Sequence, residues 1–489
     1  MTFQVGAREP IDADIAIVGA GPAGAAAACH FGRAGFRVIL FDQRRFPRDK
    51  VCGDFVGPAA LEELDQLGLM SQEIFRHAAK IRNGALYING ENVVTRPFPQ
   101  IGNLRDYGLC LPRVLLDEAI VKAAVASGAL LIEEARVEGY ESDKTGVTVF
   151  YQRGEGHHCL RVRFLIGADG SSSHISRILR GGKAPKRDRI VAVRAYFEGV
   201  CGPKDQGDLY INSRFFPGYY WLFPTGSDTA NVGIGMPLES WTATKHQQMG
   251  EVLRNMIEFD SAIHSRLAHA KVRDKIVGWP LVTYNPRLPI IANRVVLIGD
   301  AAGLINPLSG EGIQYALRSA RWCAETLLGA VYGDTLSLLE LLPFARRVQA
   351  EMRYDMALSR FIIDLASYRF LNPLWLSALT VIAKRASTDA DYYELAAGLF
   401  TGIVGAREFL APPFLWSTAR SGVMTLGSAA MEMLPIADRS KQNRTRLTNS
   451  IASMVKDAVA HPVTTIRWSR DCALSAFELA TQMVISAAQ

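Results

Sequence analysis

Ile15-Ala16-Ile17-Val18-Gly19-Ala20-Gly21-Pro22-Ala23-Gly24 is an apolar, strand-like run that feeds directly into Gly-x-Gly-x-x-Gly. The Ala-rich stretch from Ala25 to Ala34 predicts a helix, closed by Gly35. A second apolar run, Arg37 to Phe41, predicts a strand and ends in Asp42. Strand, glycine turn, helix, strand and acid together form a complete βαβ unit for a dinucleotide. Gly19 permits the tight turn. Gly21 lets a pyrophosphate approach backbone N–H groups at the helix N-terminus, beside Ala23 in the same turn. Gly24 lets helix and strand pack closely, and Asp42 accepts hydrogen bonds from a ribose.

Working outward, the 489 residues and 49% apolar content predict a large core and two or three subdomains. The seven cysteines (29, 52, 110, 159, 201, 323 and 472) are scattered and form no CxxC, which predicts free thiols in a reducing compartment. The first dozen residues lack the pattern of a signal peptide, and no window of 18 uninterrupted apolar residues predicts a membrane span. The expected location is cytoplasmic, with peripheral membrane association as an option. A net charge of +6 without a basic-aromatic stripe does not point to nucleic acid. The nine histidines show no metal-ligand spacing, so no metal is expected, and no Ser-His-Asp signature is present.

Further segments repeat the pattern of a strand ending in a small polar turn. Phe164 to Ile166 leads into Gly167-Ala168-Asp169-Gly170. Val295 to Ile298 ends in Gly299-Asp300, followed by Asn306-Pro307-Leu308-Ser309-Gly310-Glu311-Gly312 and a helical stretch through Leu327. A strand-end carboxylate beside glycines suits a ribityl chain or a pyrophosphate, and the helix N-terminus after Gly310 and Gly312 suits negative charge on a flavin ring. Arg113-Val-Leu-Leu-Asp117 opens another helix, up to Ala126.

This ordered set, over roughly residues 12–330, resembles the flavoprotein superfamily of aromatic hydroxylases, flavin halogenases and geranylgeranyl reductases, which share a glutathione-reductase-like FAD fold. The resemblance implies FAD, held by Gly19, Gly21, Ala23, Gly24, Asp42, Arg113, Asp169, Gly299, Asp300, Gly310 and Gly312. It puts Asp42 on the adenosine ribose, where the family often has Glu. Arg113 falls near the pyrophosphate or ribityl chain, and Asp300 near the ribityl or pyrophosphate oxygens. The expected fold is α/β. A Rossmann-like three-layer FAD domain (12–80, 100–185 and 280–335) carries an inserted, mainly antiparallel substrate domain (81–99 and 186–279) and a helical C-terminal region (336–489).

Two motifs look like the geranylgeranyl reductase branch: Arg48-Asp49-Lys50-Val51-Cys52-Gly53-Asp54, and Pro217-Gly-Tyr219-Tyr-Trp221-Leu-Phe223-Pro224 followed by Asn231-Val-Gly233-Ile-Gly235. The halogenase branch has Trp-x-Trp-x-Ile-Pro, of which this chain keeps one tryptophan and has Phe223 in place of Ile. Alternation places Tyr219, Trp221 and Phe223 on one strand face, and Asn231, Gly233 and Gly235 on one face of the return strand, Ala230 to Met236. Glycines opposite aromatics either leave a groove for a flat ring or apolar chain, or mark bulges in an aromatic core. The resemblance favours the groove, with Tyr219, Trp221, Phe223, Gly233 and Gly235 binding substrate. A lone cysteine is commonly a small buried hydrophobe. Cys52 sits instead in a polar loop where Lys50 and Arg48 are expected to lower its pKa. The resemblance gives Cys52 a role in substrate positioning or protonation, with Trp221 beside it.

After about Gly333 helical patterns take over, punctuated by Asn372-Pro373 and by Ala411-Pro412-Pro413-Phe414. The last 75 or so residues look like an addition to the family pattern, with Lys441, Arg444 and Arg446 clustered. Apolar segments such as Leu374 to Ile382 and Leu399 to Val404 are too short to span a bilayer, and fit either helix packing or contact with a membrane surface.

The leading expectation is an FAD-dependent oxidoreductase that reduces C=C bonds of an isoprenoid or similar long apolar substrate by hydride from reduced flavin. The alternatives are an FAD-dependent monooxygenase (hydroxylase or epoxidase) or halogenase on a natural-product scaffold, and a non-catalytic flavin- or lipid-binding protein. NAD(P)H, a flavin reductase or a ferredoxin would supply electrons. Oligomeric state stays open.

Overall fold

The computed structural model of the chain describes residues 11–242, 248–400, 420 and 460–487. The run Ala13–Val18 is a strand buried along nearly its whole length. An all-apolar strand of this kind needs cover on both faces, which a parallel sheet supplies. Five strands run parallel in the order Val295–Leu297, Gly156–Gly167, Ala13–Val18, Val38–Phe41 and Leu130–Ile132, and Ile291–Ala292 adds an antiparallel edge. Val18 pairs with both Phe41 and Gly167, and Gly167 pairs with Leu297. The strands therefore end level. Gly19, Asp42, Ala168 and Ile298 leave the sheet at one edge, where ligands bind in open α/β sheets.

The dinucleotide helix is Pro22–Arg33, a turn longer at its start than the Ala-rich pattern predicts, because Pro22 preorganises its first position. It packs with the helices Arg113–Ala126 and Ile313–Gly333. The first half of Gly156–Gly167 turns away from the parallel strands and forms an antiparallel meander with Val147–Arg153 and Ala135–Ser142.

A second sheet is antiparallel except for the parallel pair Gln206–Ile211 and Asn83–Ile88. Its order runs from Arg189–Glu198, flanked by Lys271–Val272 and Val277–Val282, through Thr229–Pro237, Tyr219–Pro224, Gln206–Ile211 and Asn83–Ile88 to Glu91–Pro97. Two chain segments thus build it, and its strand Val277–Val282 runs three residues past 279. One face packs Ala195, Phe197, Tyr220, Leu222, Val232 and Ile234 against Val252, Leu253, Ile263 and Leu267 of two covering helices, Met249–Phe259 and Ser261–Leu267. The other face carries the alternate residues, Tyr219, Trp221 and Phe223 among them. A small sheet of Phe55–Val56, Gly108–Cys110 and Ala79–Ile81 lies beside the aromatic strand, with Phe55 against Phe223.

Helices Leu338–Ala366, Asn372–Thr388, Ala390–Phe400 and Pro462–Ala487 follow. Asn372-Pro373 starts a helix, as its punctuation predicts. The last helix is held by Arg187, whose guanidinium reaches Asp364 at 2.9 Å, while Ser475 donates to the same carboxylate. Leu374–Ile382 lies inside Asn372–Thr388, with Leu376 buried and Leu374 56% exposed. Residues 401–404, Ala411 to Phe414, Lys441, Arg444 and Arg446 lie outside the described residues. Among the described residues no helix is long and apolar enough to cross a membrane. All seven cysteines are free.

Candidate active site

The glycine turn separates into two functions. Gly19 turns at φ +98°, and a Cβ there would fall 2.4 Å from the Ala168 carbonyl oxygen. One on Gly24 would fall 1.9 Å from the Gly19 oxygen. The protein's own packing forbids both. Gly21, at φ −73°, has ordinary backbone, and a Cβ there would meet only the Arg48 guanidinium, at 3.9 Å. Its open face adjoins the start of Pro22–Arg33, whose first N–H groups have no partner within the helix. That cradle fits a pyrophosphate. Gly299 closes its far side. At φ +55°, a Cβ there would lie 2.8 Å from the Ala23 methyl, so Ala23 and Gly299 let two chain turns meet.

Asp42 is buried and well supplied with donors. Its Oδ2 accepts from the Ala20 N–H at 3.1 Å and from Arg48 Nη2 at 3.0 Å, and its Oδ1 from the Arg44 N–H at 2.9 Å. Arg48 also reaches Asp117 at 3.0 Å, and Asp117 holds the Arg113 guanidinium with bonds of 2.7 and 2.8 Å. Arg113 thus stands at its helix start, locked by a partner one turn on. The i,i+4 spacing of Arg113 and Asp117 was a legible signal for that pair. Nothing in the sequence paired Arg48 with Asp42.

Asp169 spends its carboxylate on the next helix. It accepts from the Ser173 hydroxyl and from the N–H groups of His174 at 2.6 Å and Ile175 at 3.2 Å, at the start of His174–Arg180. What this turn presents to the glycine motif is backbone, the Ala168 carbonyl beneath Gly19. Asp300 receives Lys50 Nζ at 3.0 Å and Ser171 Oγ at 3.2 Å. Burial favours its neutral acid, but Lys50, Arg113 and Ser171 outweigh that and hold the carboxyl below its ordinary range. Gly312 ends next to it, since a Cβ there would lie 3.2 Å from Asp300 Oδ1. Gly310, at φ +67°, lies against Tyr219, whose hydroxyl donates to the Ser309 carbonyl.

The aromatic strand corrects the groove expectation. Trp221 is 7% exposed, and its indole lies directly on Gly233, where a Cβ would come within 2.1 Å of the ring. It also extends over Gly235, at 3.8 Å. The glycines are room for the indole, not for a ligand. Its Nε1 donates to Asn231 Oδ1 at 2.9 Å, and Asn231 Nδ2 donates onward to the Cys52 carbonyl at 2.7 Å and Asp54 Oδ2 at 2.8 Å. Trp221 therefore fixes the Cys52–Asp54 loop. Tyr219 and Phe223 are half-buried on the same face.

A second correction concerns Cys52. Burial pushes its thiol above the ordinary range, against the opposing pull of Arg113. Lys50 and Arg48 do not activate it, because Asp300 and Asp42 with Asp117 claim their charges. The cation facing Cys52 is Arg113, a residue brought there only by the fold.

Two carboxyls belong to the site although sequence reasoning gave them no role. Asp54 is fully buried in a left-handed backbone at φ +62° and accepts from Tyr196, Asn231 and the Arg113 N–H. Burial raises it to about 6, against those hydrogen bonds. Glu311, between Gly310 and Gly312, is raised to about 8 by burial, with Arg318 opposing. Only its place between two glycines at a helix start hinted at this.

Residues 12–337 match the family model described as FAD binding domain. The chain is 33% identical over 333 residues to a menaquinone reductase of Mycobacterium tuberculosis, covering 64% of this chain and 76% of that protein. It is 28% identical over 375 residues to digeranylgeranylglycerophospholipid reductase 2 of Methanopyrus kandleri, covering 72% of this chain and 87% of that one. A solved geranylgeranyl bacteriochlorophyll reductase-like protein from Thermoplasma acidophilum shares the fold, with a TM-score of 0.67 at 21% identity over 81% of this chain and 98% of that chain.

Proposed function

The chain belongs to the FAD-binding-domain family and is an FAD-dependent oxidoreductase, and from that premise we propose that it reduces C=C bonds of an isoprenoid-like, long apolar substrate. The observation that carries this reading is the corner where the loop of Cys52, Glu311 and the aromatic strand meet, with Glu311 Oε1 at Gly57, Phe223 against Gly53 and Tyr219 on the Ser309 carbonyl. Cys52 is held as a thiol and Glu311 as an acid, beside half-buried Tyr219 and Phe223. Reduction of an alkene consumes a proton as well as a hydride, so a site rich in protonated groups suits it. The names of the two reductase relatives support the same class, one for menaquinone and one for a lipid bearing geranylgeranyl chains.

The chain's own residues divide the work. Gly19, Gly21 and Gly24 shape the pyrophosphate cradle at the helix Pro22–Arg33. Asp42 and Arg48 offer a paired acceptor and cation at its adenosine end. Asp300, with Lys50, would hold the ribityl or pyrophosphate oxygens, and the turn Ser309–Gly312 would back the flavin ring. Tyr219 and Phe223 supply apolar cover that excludes water from the reacting face. Bound and reduced, FAD supplies hydride. Two electrons from outside the chain would recharge it, as one hydride from NAD(P)H, through a flavin reductase, or one at a time from two reduced ferredoxins.

The test is turnover of a geranylgeranyl lipid by the FAD-loaded protein after chemical reduction, with and without oxygen. A product heavier by about 2 Da in both conditions is expected, whereas a gain of about 16 Da confined to the aerobic sample would replace reduction by oxygenation.

A further inference from the structure

We propose that Glu311 is the proton donor of this reduction, its carboxyl set at the corner where the Cys52 loop and the start of the aromatic strand meet. The inference rests on the reductase reading and deepens it.

Three observations place the group. Its backbone is pinned on both sides: the Asn306 N–H donates to the Glu311 carbonyl at 3.0 Å, and the Gly310 N–H to the Asn306 carbonyl at 2.9 Å. Its side chain is left over. Among the described residues its carboxyl makes no hydrogen bond and no ion pair, while every other acid of the site named above has a partner. And it reaches toward the loop that carries Cys52. Oε1 lies 3.6 Å from where a Cβ on Gly57 would sit, at the end of the loop that carries Cys52. Tyr219, the first residue of the aromatic strand, is close enough to feel the Glu311 charge and is anchored to the neighbouring Ser309 carbonyl.

The charges around it leave the proton in place. On the helix that follows it, the cation that acts on it is Arg318, already facing Glu63 at 3.7 Å. Across Gly312, Asp300 is offset by Lys50. The aromatic strand and the helix itself contribute the hydroxyls of Tyr219 and Tyr315, neither charged at neutral pH. Beyond Tyr315, helix Leu338–Ala366 adds Asp355, whose negative charge does not favour a second carboxylate. With no side-chain hydrogen bond or ion pair on the carboxyl, burial outweighs the pull of Arg318 and the acid titrates at about 8. A general acid works best near the operating pH, which favours Glu311 over the Cys52 thiol, pushed above its own ordinary range.

The step balances. The π bond of the alkene breaks and two C–H bonds form. One carbon takes a hydride, with its electron pair, from the reduced cofactor. The other takes the Glu311 proton, leaving a carboxylate that regains a proton from water at its partly exposed edge.

The test compares wild type with Glu311→Gln, which keeps the shape and cannot donate. Glu311→Gln is expected to bind FAD with unchanged affinity and to lose turnover by ~100-fold or more. The wild-type rate should fall as pH rises through about 8, and the residual rate of the variant should be flat. Infrared difference spectra of wild type minus variant, taken without substrate, should show a protonated-carboxyl carbonyl band at pH 7 that vanishes above about 8. Saturated product formed by Glu311→Gln at near wild-type rate, or no such band, overturns the donor role alone. No saturated product from wild type overturns the reductase reading, and the donor role with it.

Discussion

Gly21→Ala and Gly24→Ala should fail in different ways, although both remove a glycine from one motif. At Gly24 the new methyl would sit 1.9 Å from the Gly19 carbonyl oxygen and 3.2 Å from the Ala168 methyl. Both neighbours are held by the sheet, so helix and strand must separate. Overpacking of this kind costs about 1–3 kcal/mol or more, and the cost falls on the protein without cofactor. At Gly21 the methyl would meet nothing nearer than the Arg48 guanidinium at 3.9 Å, and the backbone at φ −73° suits alanine. The cofactor-free protein should then be unharmed, or gain up to about 1 kcal/mol because alanine restricts the unfolded chain. The damage appears when FAD binds, since the methyl holds the phosphate away from the helix N–H groups. Losing one or two charge-assisted hydrogen bonds of about 1.5–3 kcal/mol each weakens binding by roughly ten- to ten-thousand-fold. The assay is thermal unfolding of the FAD-stripped proteins beside a fluorescence titration with FAD. If stripped Gly21→Ala is as destabilised as stripped Gly24→Ala, or binds FAD like wild type, the cradle does not lie over Gly21.

Asp54 gives a pH signature. Its carboxyl is raised to about 6 in the folded protein, so between about 4 and 6 the native state keeps a proton that the unfolded chain has lost. Stability should therefore fall as pH rises through that window, by at most about 3 kcal/mol, and level off above it. Asp54→Asn, which tolerates the left-handed backbone, should flatten that slope in denaturant titrations at pH 4.5 and 7; an unchanged slope refutes the assignment. Asp300→Ala would strand the Lys50 ammonium, which is 23% exposed, and the Ser171 hydroxyl. FAD affinity should drop by the equivalent of about 1–3 kcal/mol, and full retention would remove Asp300 from the cofactor's surroundings. Cys52 should alkylate more slowly at pH 7 than the exposed Cys159 and Cys201, because burial keeps it a thiol. If Cys52 is the fastest-labelling thiol by mass spectrometry, its raised state is wrong.

The sequence by itself determined the scaffold and the cofactor class. A βαβ glycine turn is a local object, in which the strand, the turn and the helix start are neighbours in the chain, so Gly19, Gly24 and Asp42 carry their reasons in their spacing. The alternation of Tyr219, Trp221 and Phe223 was equally local, and the opposite burial of Tyr220 and Leu222 follows from the same pleat. What lies across the aromatic face was decided only by tertiary structure. Gly233 is twelve positions from Trp221, and only the strand pairing shows that the indole fills the space above it. Charges behaved the same way. Lys50 and Arg48 stand beside Cys52 in sequence, yet Lys50 pairs with Asp300, 250 residues away, and Arg48 bridges Asp42 and Asp117. A pKa depends on the charges and solvent within a few ångströms, and chain neighbours are only a part of those. For that reason the sequence located the motifs of the candidate site, while the environments that favour a thiol at Cys52 and an acid at Glu311 came from the way distant segments close around them.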